Sequence, residues 1–417
     1  MISLQLIVIS VSCIFLSRVS SFLLLFYAIL SLYTIVPQIG YIYFPELSMA
    51  MDAYFGQSII SSFQIFFLSN LIVVPLALYL SSKFKLSSGL SFRFSGFPGK
   101  SFFWLVYILY FCSMWIIFIL NSQNINYETA SASGGETFFI YVFPIMNKLG
   151  IGLAVLSYAY KDLSSYHRLL SFFVIGTIIF FAFKMGARVD LISLIVGIIF
   201  LNLGTRKLRF KDFIKAMLIF PVLFFVLLFI EASRNEMNVL EMGISIQDIL
   251  AKDYLAPGHT IFGLIYHNYI NPVGQLISNF VNSFPGLSRI IPGDFPLLSE
   301  TVGGMISDGS IVISKSQGYA FHILGEGYVF MGMWGAIYNF VAILFNFSIL
   351  QFFKNSLDPK SQTVFIALVV TLFFPLVRSQ YSYFVEFYFI YLIPLMILHF
   401  LFYSNTYKYL IGDNNGT

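Results

Sequence analysis

The chain has 417 residues, of which 58% are hydrophobic and 10% charged, and its formal net charge is +4. Soluble domains carry roughly 25% charged residues, so this composition excludes an ordinary water-soluble globule and points to an all-α, polytopic transmembrane helix bundle. Cys13 and Cys112 both lie in apolar runs far apart in sequence, which argues against a disulfide framework and against a thiolate metal site.

Crossing the hydrocarbon core takes about 20 apolar residues. Eleven stretches approach that requirement: 2–17, 22–44, 57–80, 102–120, 138–160, 169–183, 189–203, 213–230, 319–350, 363–377 and 387–403. The first lacks the basic start and small-residue cleavage site of a signal peptide and is expected as a retained helix. The pair around Gly186 also fits one broken helix.

The connecting segments alternate in charge. Lys83, Lys85, Arg93 and Lys100 crowd one, Lys161 and Arg168 another, then Arg206, Lys207, Arg209, Lys211 and Lys215, then Lys354 and Lys360, and finally Lys408. The positive-inside rule assigns these to the cytoplasm. The segments between them carry Glu46, Asp52, Glu128 and Glu136 and face outward. With Arg18 inside, an odd number of spans puts the N-terminus outside and the C-terminus in the cytoplasm. The expected division is a bundle over 1–230, a large external loop over 231–318 and further spans over 319–417.

That loop is rich in Gly, Pro and acidic residues, and irregular polar backbone is tolerated in a membrane protein only outside the lipid or around a cavity. Within it, residues 244–255 have apolar side chains at helical spacing and are expected as an interfacial helix, ended by Pro257-Gly258. Residues 282–309 are turn-rich, with Pro285-Gly286, Pro292-Gly293 and Gly303-Gly304.

Several cations stand apart on this acidic outer side: Lys184, Arg188, Arg234, Arg289, Lys315 and Arg378. An arginine at the centre of a membrane helix costs about 2.5–3.5 kcal/mol on insertion scales, so each needs a partner. One reading is that Arg188, Arg234, Arg289 and Arg378 converge on an anion, since a guanidinium matches phosphate oxygens bidentately. The other is local pairing: Arg188 with Asp190, Arg234 with Glu231, and Lys184 reaching to headgroups. His322 and Glu326 are four apart, so on a helix they share a face and could act together on a proton. The alternative is a polar patch that packs the loop against the bundle. The second histidine of a zinc helix motif is missing, and no metal site or cofactor is expected.

Three stretches carry a resemblance: Gly186-Ala187-Arg188, the loop entered through Glu231-Ala232-Ser233-Arg234, and the run Leu324-Gly325-Glu326-Gly327-Tyr328 continuing to Gly335. With the overall pattern of many helices and one large late loop, the chain resembles the Wzy-type polymerases of O-antigen and capsular polysaccharide. The resemblance implies a metal-independent glycosyltransferase in the bacterial inner membrane, acting at its outer face. Donor and acceptor would be undecaprenyl pyrophosphate-linked oligosaccharides. A chain-length regulator and a flippase would be partners, and nucleic acid would not. Arg188, Arg234, Arg289 and Arg378 would then hold the departing pyrophosphate, with Glu326 or His322 as base and Asp190 behind them. An O-antigen ligase shares most of these features. A flippase or other transporter should show related halves and midplane charges, and the sequence shows neither.

Overall fold

The structure is a computed structural model that describes residues 1–43, 57–84, 100–120, 137–159, 165–185, 188–203, 256–284, 287–293, 295, 298, 301, 321–357, 359–394 and 396–397. Nearly all of them are helical, and no strand occurs among the described residues. Apolar segments without access to water must satisfy their own backbone groups, and a helix does so within one segment. In chain order the helices are α1 (Ile2–Val19), α2 (Ser21–Tyr43), α3 (Gln57–Lys83), α4 (Lys100–Leu120) and α5 (Thr137–Ala159). Then come α6 (Ser165–Met185), α7 (Arg188–Leu203), α8 (Ala256–Tyr266), α9 (Pro272–Ser283) and α10 (Leu287–Ile290). The last are α11 (Gly325–Met331), α12 (Gly335–Asn355), α13 (Pro359–Val370), α14 (Phe373–Val377) and α15 (Ser382–Glu386), followed by a π-helical stretch, Phe387–Leu392.

Four described stretches are long and apolar enough to cross a membrane: Ile2–Val19, Ser21–Ile39, Ile60–Lys83 and Gly325–Asn355. Five shorter apolar helices accompany them. The all-α, membrane-type architecture read from the sequence is therefore present, with four of the eleven expected spans meeting both criteria among the described residues. The expected span 213–230 and the expected interfacial helix 244–255 lie outside the described residues.

Contacts divide the chain into two compact units, each discontinuous in sequence. One comprises Met1–Leu86, Gly243–Phe353 and Phe373–Glu386; the other comprises Ser87–Met242, Lys354–Leu372 and Phe387–Thr417.

In the first unit α1 turns into α2 at Ser20, whose extended backbone still lets its N–H reach the Leu16 carbonyl at 2.9 Å. Of the α1 side chains only Gln5 and Leu16 are buried, while Ile7, Val11 and Ile14 point outward, as on a helix facing hydrocarbon. Phe22 and Phe26 of α2 pack with Phe347 of α12 and Phe373 of α14, Phe26 and Phe347 having ring centroids 4.6 Å apart. Each such ring pair adds about 0.5–1.5 kcal/mol beyond the area it buries. Pro257 and Gly258 lie in the first turn of α8, where a proline forfeits no helical hydrogen bond. Gly258 has no Cβ, and the ring of Pro37 in α2 fills that space.

The single helix expected over 319–350 is broken. α11 ends at Gly332, which adopts φ 57°, and a 3-10 turn, Gly332–Trp334, leads into α12. Positive φ is open to glycine at little cost, so the break sits at the residue that tolerates it.

The second unit is built from α4, α5, α6, α7, α13 and the π-helical stretch. Its closest approaches use small residues, as membrane helix pairs do. Gly150 of α5 lies against the ring of Tyr110 in α4, and Gly197 of α7 against Thr371 and Val155.

Candidate functional site

Glu326 occupies the second position of α11 and is completely buried. The flanking glycines explain how it gets there. A Cβ on Gly335 would overlap the backbone of Gly327, and a Cβ on Gly327 would overlap the Gly335 carbonyl and the Asn339 side chain. Residues eight apart on one continuous helix are separated by about 12 Å along its axis, so this contact means that α11 folds back on the start of α12. Asn339 pins the reversal, donating to the Leu324 carbonyl at 3.0 Å and to Asn70 Oδ1 of α3 at 2.7 Å.

Three donors then surround the carboxylate. Asn279 Nδ2 of α9 and the Tyr338 hydroxyl of α12 donate to Oε1 at 2.7 and 2.8 Å, and the main-chain N–H of Tyr381 donates to Oε2 at 2.5 Å. The donors are themselves held. Gln275 Nε2 donates to Asn279 Oδ1 at 2.5 Å, and the Tyr338 ring stacks on Phe330 with centroids 4.4 Å apart. Among the described residues no lysine or arginine pairs with Glu326. A buried carboxylate without a cation is tolerable only when its lone pairs are occupied, and here three of roughly four are.

The segment that supplies the Tyr381 amide is fixed at both ends. The Ile323 N–H donates to the Val377 carbonyl at 3.1 Å, just before α11, and the Tyr381 amide binds Glu326 within α11. Residues 377–381 thus form a strap laid along 323–326, and Arg378 lies on it. Its side chain is half-buried, and its guanidinium has no partner among the described residues. Gln380 extends the strap, accepting from the Leu298 N–H at 3.2 Å and donating to Ser382 Oγ at 2.7 Å.

His322 lies outside the helix, three residues before its start, and is also fully buried. The Leu324 N–H donates to its Nδ1 at 3.3 Å, and its Nε2 lies 3.4 Å from Thr34 Oγ1 of α2. The expected shared helix face of His322 and Glu326 does not form. The histidine turns to α2 and to the ring of Phe67 in α3, while the glutamate turns to α9, α12 and the strap.

In the second unit Asp190, in the first turn of α7, pairs with Lys148 and accepts from Asn147 Nδ2, both on α5. In the same unit Asn147 Oδ1 and the Tyr110 hydroxyl are buried without a hydrogen-bond partner among the described residues. Local pairing of Asp190 with Arg188 was one of the two readings of the sequence; Lys148 is a partner the sequence reading did not name. Arg234 lies outside the described residues. Arg188 opens α7 and Arg289 falls in α10, but their side chains also lie outside the described residues. Of the four arginines expected to converge, Arg378 is therefore the one whose surroundings are described. No three His, Cys, Asp or Glu side chains come together among the described residues.

Asn279, Tyr338 and Tyr381 were not singled out from the sequence. Asn279 had a visible signal, the polar stripe Gln275, Ser278, Asn279, Asn282 and Ser283 at helical spacing. Tyr338 and Tyr381 had none, because no single-helix spacing links them to Glu326. Comparison with protein-family models, with characterised proteins and with solved structures finds no match to this chain.

Proposed function

We propose that the chain is an integral-membrane glycosyltransferase that polymerises lipid-linked repeat units into O-antigen or capsular polysaccharide. The donor is a glycan on undecaprenyl pyrophosphate, and the acceptor is the non-reducing end of a fresh lipid-linked unit. In the reaction the bond from the anomeric carbon to the pyrophosphate oxygen breaks, and the leaving group keeps the electron pair. A hydroxyl oxygen of the acceptor forms the new glycosidic bond, and its proton passes to a base. Negative charge grows on the pyrophosphate, and fixed cations in a water-poor site stabilise it. The reading sets eleven spans in the bacterial inner membrane, the N-terminus outside, the C-terminus in the cytoplasm and the chemistry at the outer face.

The observation that carries the reading is the strap. Arg378 has a free guanidinium among the described residues, and its backbone is anchored on both sides to the buried end of α11. A cation held in place loses less entropy on meeting a pyrophosphate than one on a free loop. Arg378 binds the leaving group in this account, with Arg188, Arg234 and Arg289 as further cations. Glu326 positions the strap, and one lone pair of its Oε2 is left through which it could take a proton. A second reading, a transporter of lipid-linked oligosaccharide, draws on the Lys148–Asp190 pair set among apolar helices, since ionisable groups inside a membrane commonly mark transport paths.

Deletion of the gene in its own bacterium separates the possibilities. Loss of a polymerase leaves the lipid A-core carrying a single repeat. Loss of a ligase leaves the core bare while polymer remains on the carrier, and loss of a flippase leaves repeat units on the cytoplasmic side. Surface glycan of normal length in the deletion strain would contradict all three.

A further inference from the structure

The helix α9 has its polarity reversed relative to a helix on a water-soluble surface. Its polar side chains Gln275, Ser278, Asn279 and Ser283 are buried in the protein. Its apolar side chains Val273, Leu276, Ile277 and Phe280 face outward, 69%, 61%, 50% and 61% exposed. Positions 273, 276, 277 and 280 make one continuous stripe at the 3.6-residue period. Leaving a large apolar side chain in water rather than burying it costs about 1.5–3 kcal/mol, so a stripe of this size is not stable against water.

The stripe also has a neighbour. The main-chain N–H of Asn271, the cap of α9, donates to the Val329 carbonyl of α11 at 3.0 Å, and the Tyr328 hydroxyl lies 3.3 Å from Asn268 Oδ1. Ile270 Cδ1 lies 3.1 Å from where a Cβ on Gly332 would stand. The outward apolar side of α9 is thereby continuous, through Ile270, with the turn Gly332–Trp334 and with the outward residues Trp334, Ile337, Val341 and Phe345 leading down the spanning helix.

We propose that α9 is a membrane-embedded helix lying in the plane of the bilayer interface, its outward stripe covered by phospholipid acyl chains. Its inward stripe is the polar wall behind Glu326. The Glu326 cage therefore stands between lipid on one side and the protein interior on the other, a placement that holds whether or not the chain polymerises glycan.

The test uses the full chain with Cys13→Ser and Cys112→Ser, reconstituted in vesicles of phosphatidylethanolamine and phosphatidylglycerol. Spin labels are attached one at a time at Val273→Cys, Leu276→Cys, Ile277→Cys and Phe280→Cys, with Val341→Cys as the reference on α12. The expected result is collision with oxygen several-fold above collision with a water-soluble nickel chelate at all four positions, as at Val341→Cys, and a depth of roughly 5–10 Å below the headgroups. Nickel collisions outweighing oxygen collisions would overturn the proposal, because the stripe would then face water. Labels shielded from both reagents, or broadened by a label on a second copy, would overturn it too, because protein would then cover the stripe. Each position is read independently, so a variant that fails to insert leaves the others to decide.

Discussion

The main-chain N–H of Tyr381 donates to Oε2 of Glu326 at 2.5 Å, joining residues far apart in sequence inside one buried polar cage. The bond fixes more than a side chain. A backbone donor cannot rotate away, so the position of Glu326 sets the position of the strap, and the strap carries Arg378. Hydrogen bonds to a charged group contribute roughly 1.5–3 kcal/mol each, which makes this carboxylate a major organiser of the first unit.

Glu326→Gln keeps the shape of the side chain and replaces one acceptor oxygen with an NH2 donor. If that NH2 faces Tyr381, two donors confront each other; if it faces Asn279 and Tyr338, Asn279 must turn and abandon Gln275. The variant should lose about 1–3 kcal/mol of stability while still inserting in the membrane. Thermal unfolding in detergent reads this as a lowered midpoint, and a wild-type midpoint would contradict the cage.

Asn279→Asp should be worse than Asn279→Ala. The alanine removes one donor, whereas the aspartate places a second carboxylate about where the Asn279 amide stood, against Glu326 Oε1, in a site closed to water. Like charges at such range are strongly unfavourable at low dielectric. Comparing the unfolding midpoints of the two variants at neutral pH checks the order, and equal midpoints would show that Asn279 does not face the carboxylate.

Gly327→Ala and Gly335→Ala each drive a Cβ into backbone that no rotamer change can move, so each should cost about 1–3 kcal/mol or more. Gly176→Ala in α6 is the control, because nothing lies within 4 Å of its Cβ position and alanine favours the helix by up to about 1 kcal/mol. Unfolding midpoints should fall for the first two variants and hold or rise for the third.

Much of this architecture is visible in the sequence, and the reasons for the misses are physical. Hydropathy is a local signal, so the apolar runs of α1 to α3 give their helices directly. The break at Gly332 is invisible to it, since the residues on either side are equally apolar and the reversal rests on the positive φ of Gly332, the Gly327–Gly335 contact and the Asn339 hydrogen bonds. The expected His322–Glu326 pair assumed a helix that begins three residues later than His322, so the two side chains diverge. The partners of Glu326 come from α9, α12 and the strap, and long-range hydrogen bonds leave no spacing to read. The inverted stripe of α9 is legible as periodicity, at 273, 276, 277 and 280, although the loop around it is rich in turn residues.

The Lys148–Asp190 pair makes a different prediction in the second unit. Removing one member strands a buried charge, so Lys148→Met and Asp190→Asn should each cost about 3–5 kcal/mol, whereas the double variant Lys148→Met/Asp190→Asn should cost much less than their sum. A double-mutant cycle on unfolding midpoints measures the coupling, and additive losses would show that the two do not interact.

In the proposed reaction Arg378, held by the Glu326 strap, binds the pyrophosphate of a lipid-linked glycan donor. Its most direct test is elongation of undecaprenyl pyrophosphate-linked repeat units by the purified chain in lipid, comparing wild type with Arg378→Ala and Arg378→Lys. The account predicts elongation by the wild type, a loss of about 10²–10³ in turnover for Arg378→Ala, and partial retention for Arg378→Lys, which keeps the charge and loses the bidentate geometry. Absence of elongation by a folded wild-type protein, or full turnover by Arg378→Ala, would contradict it.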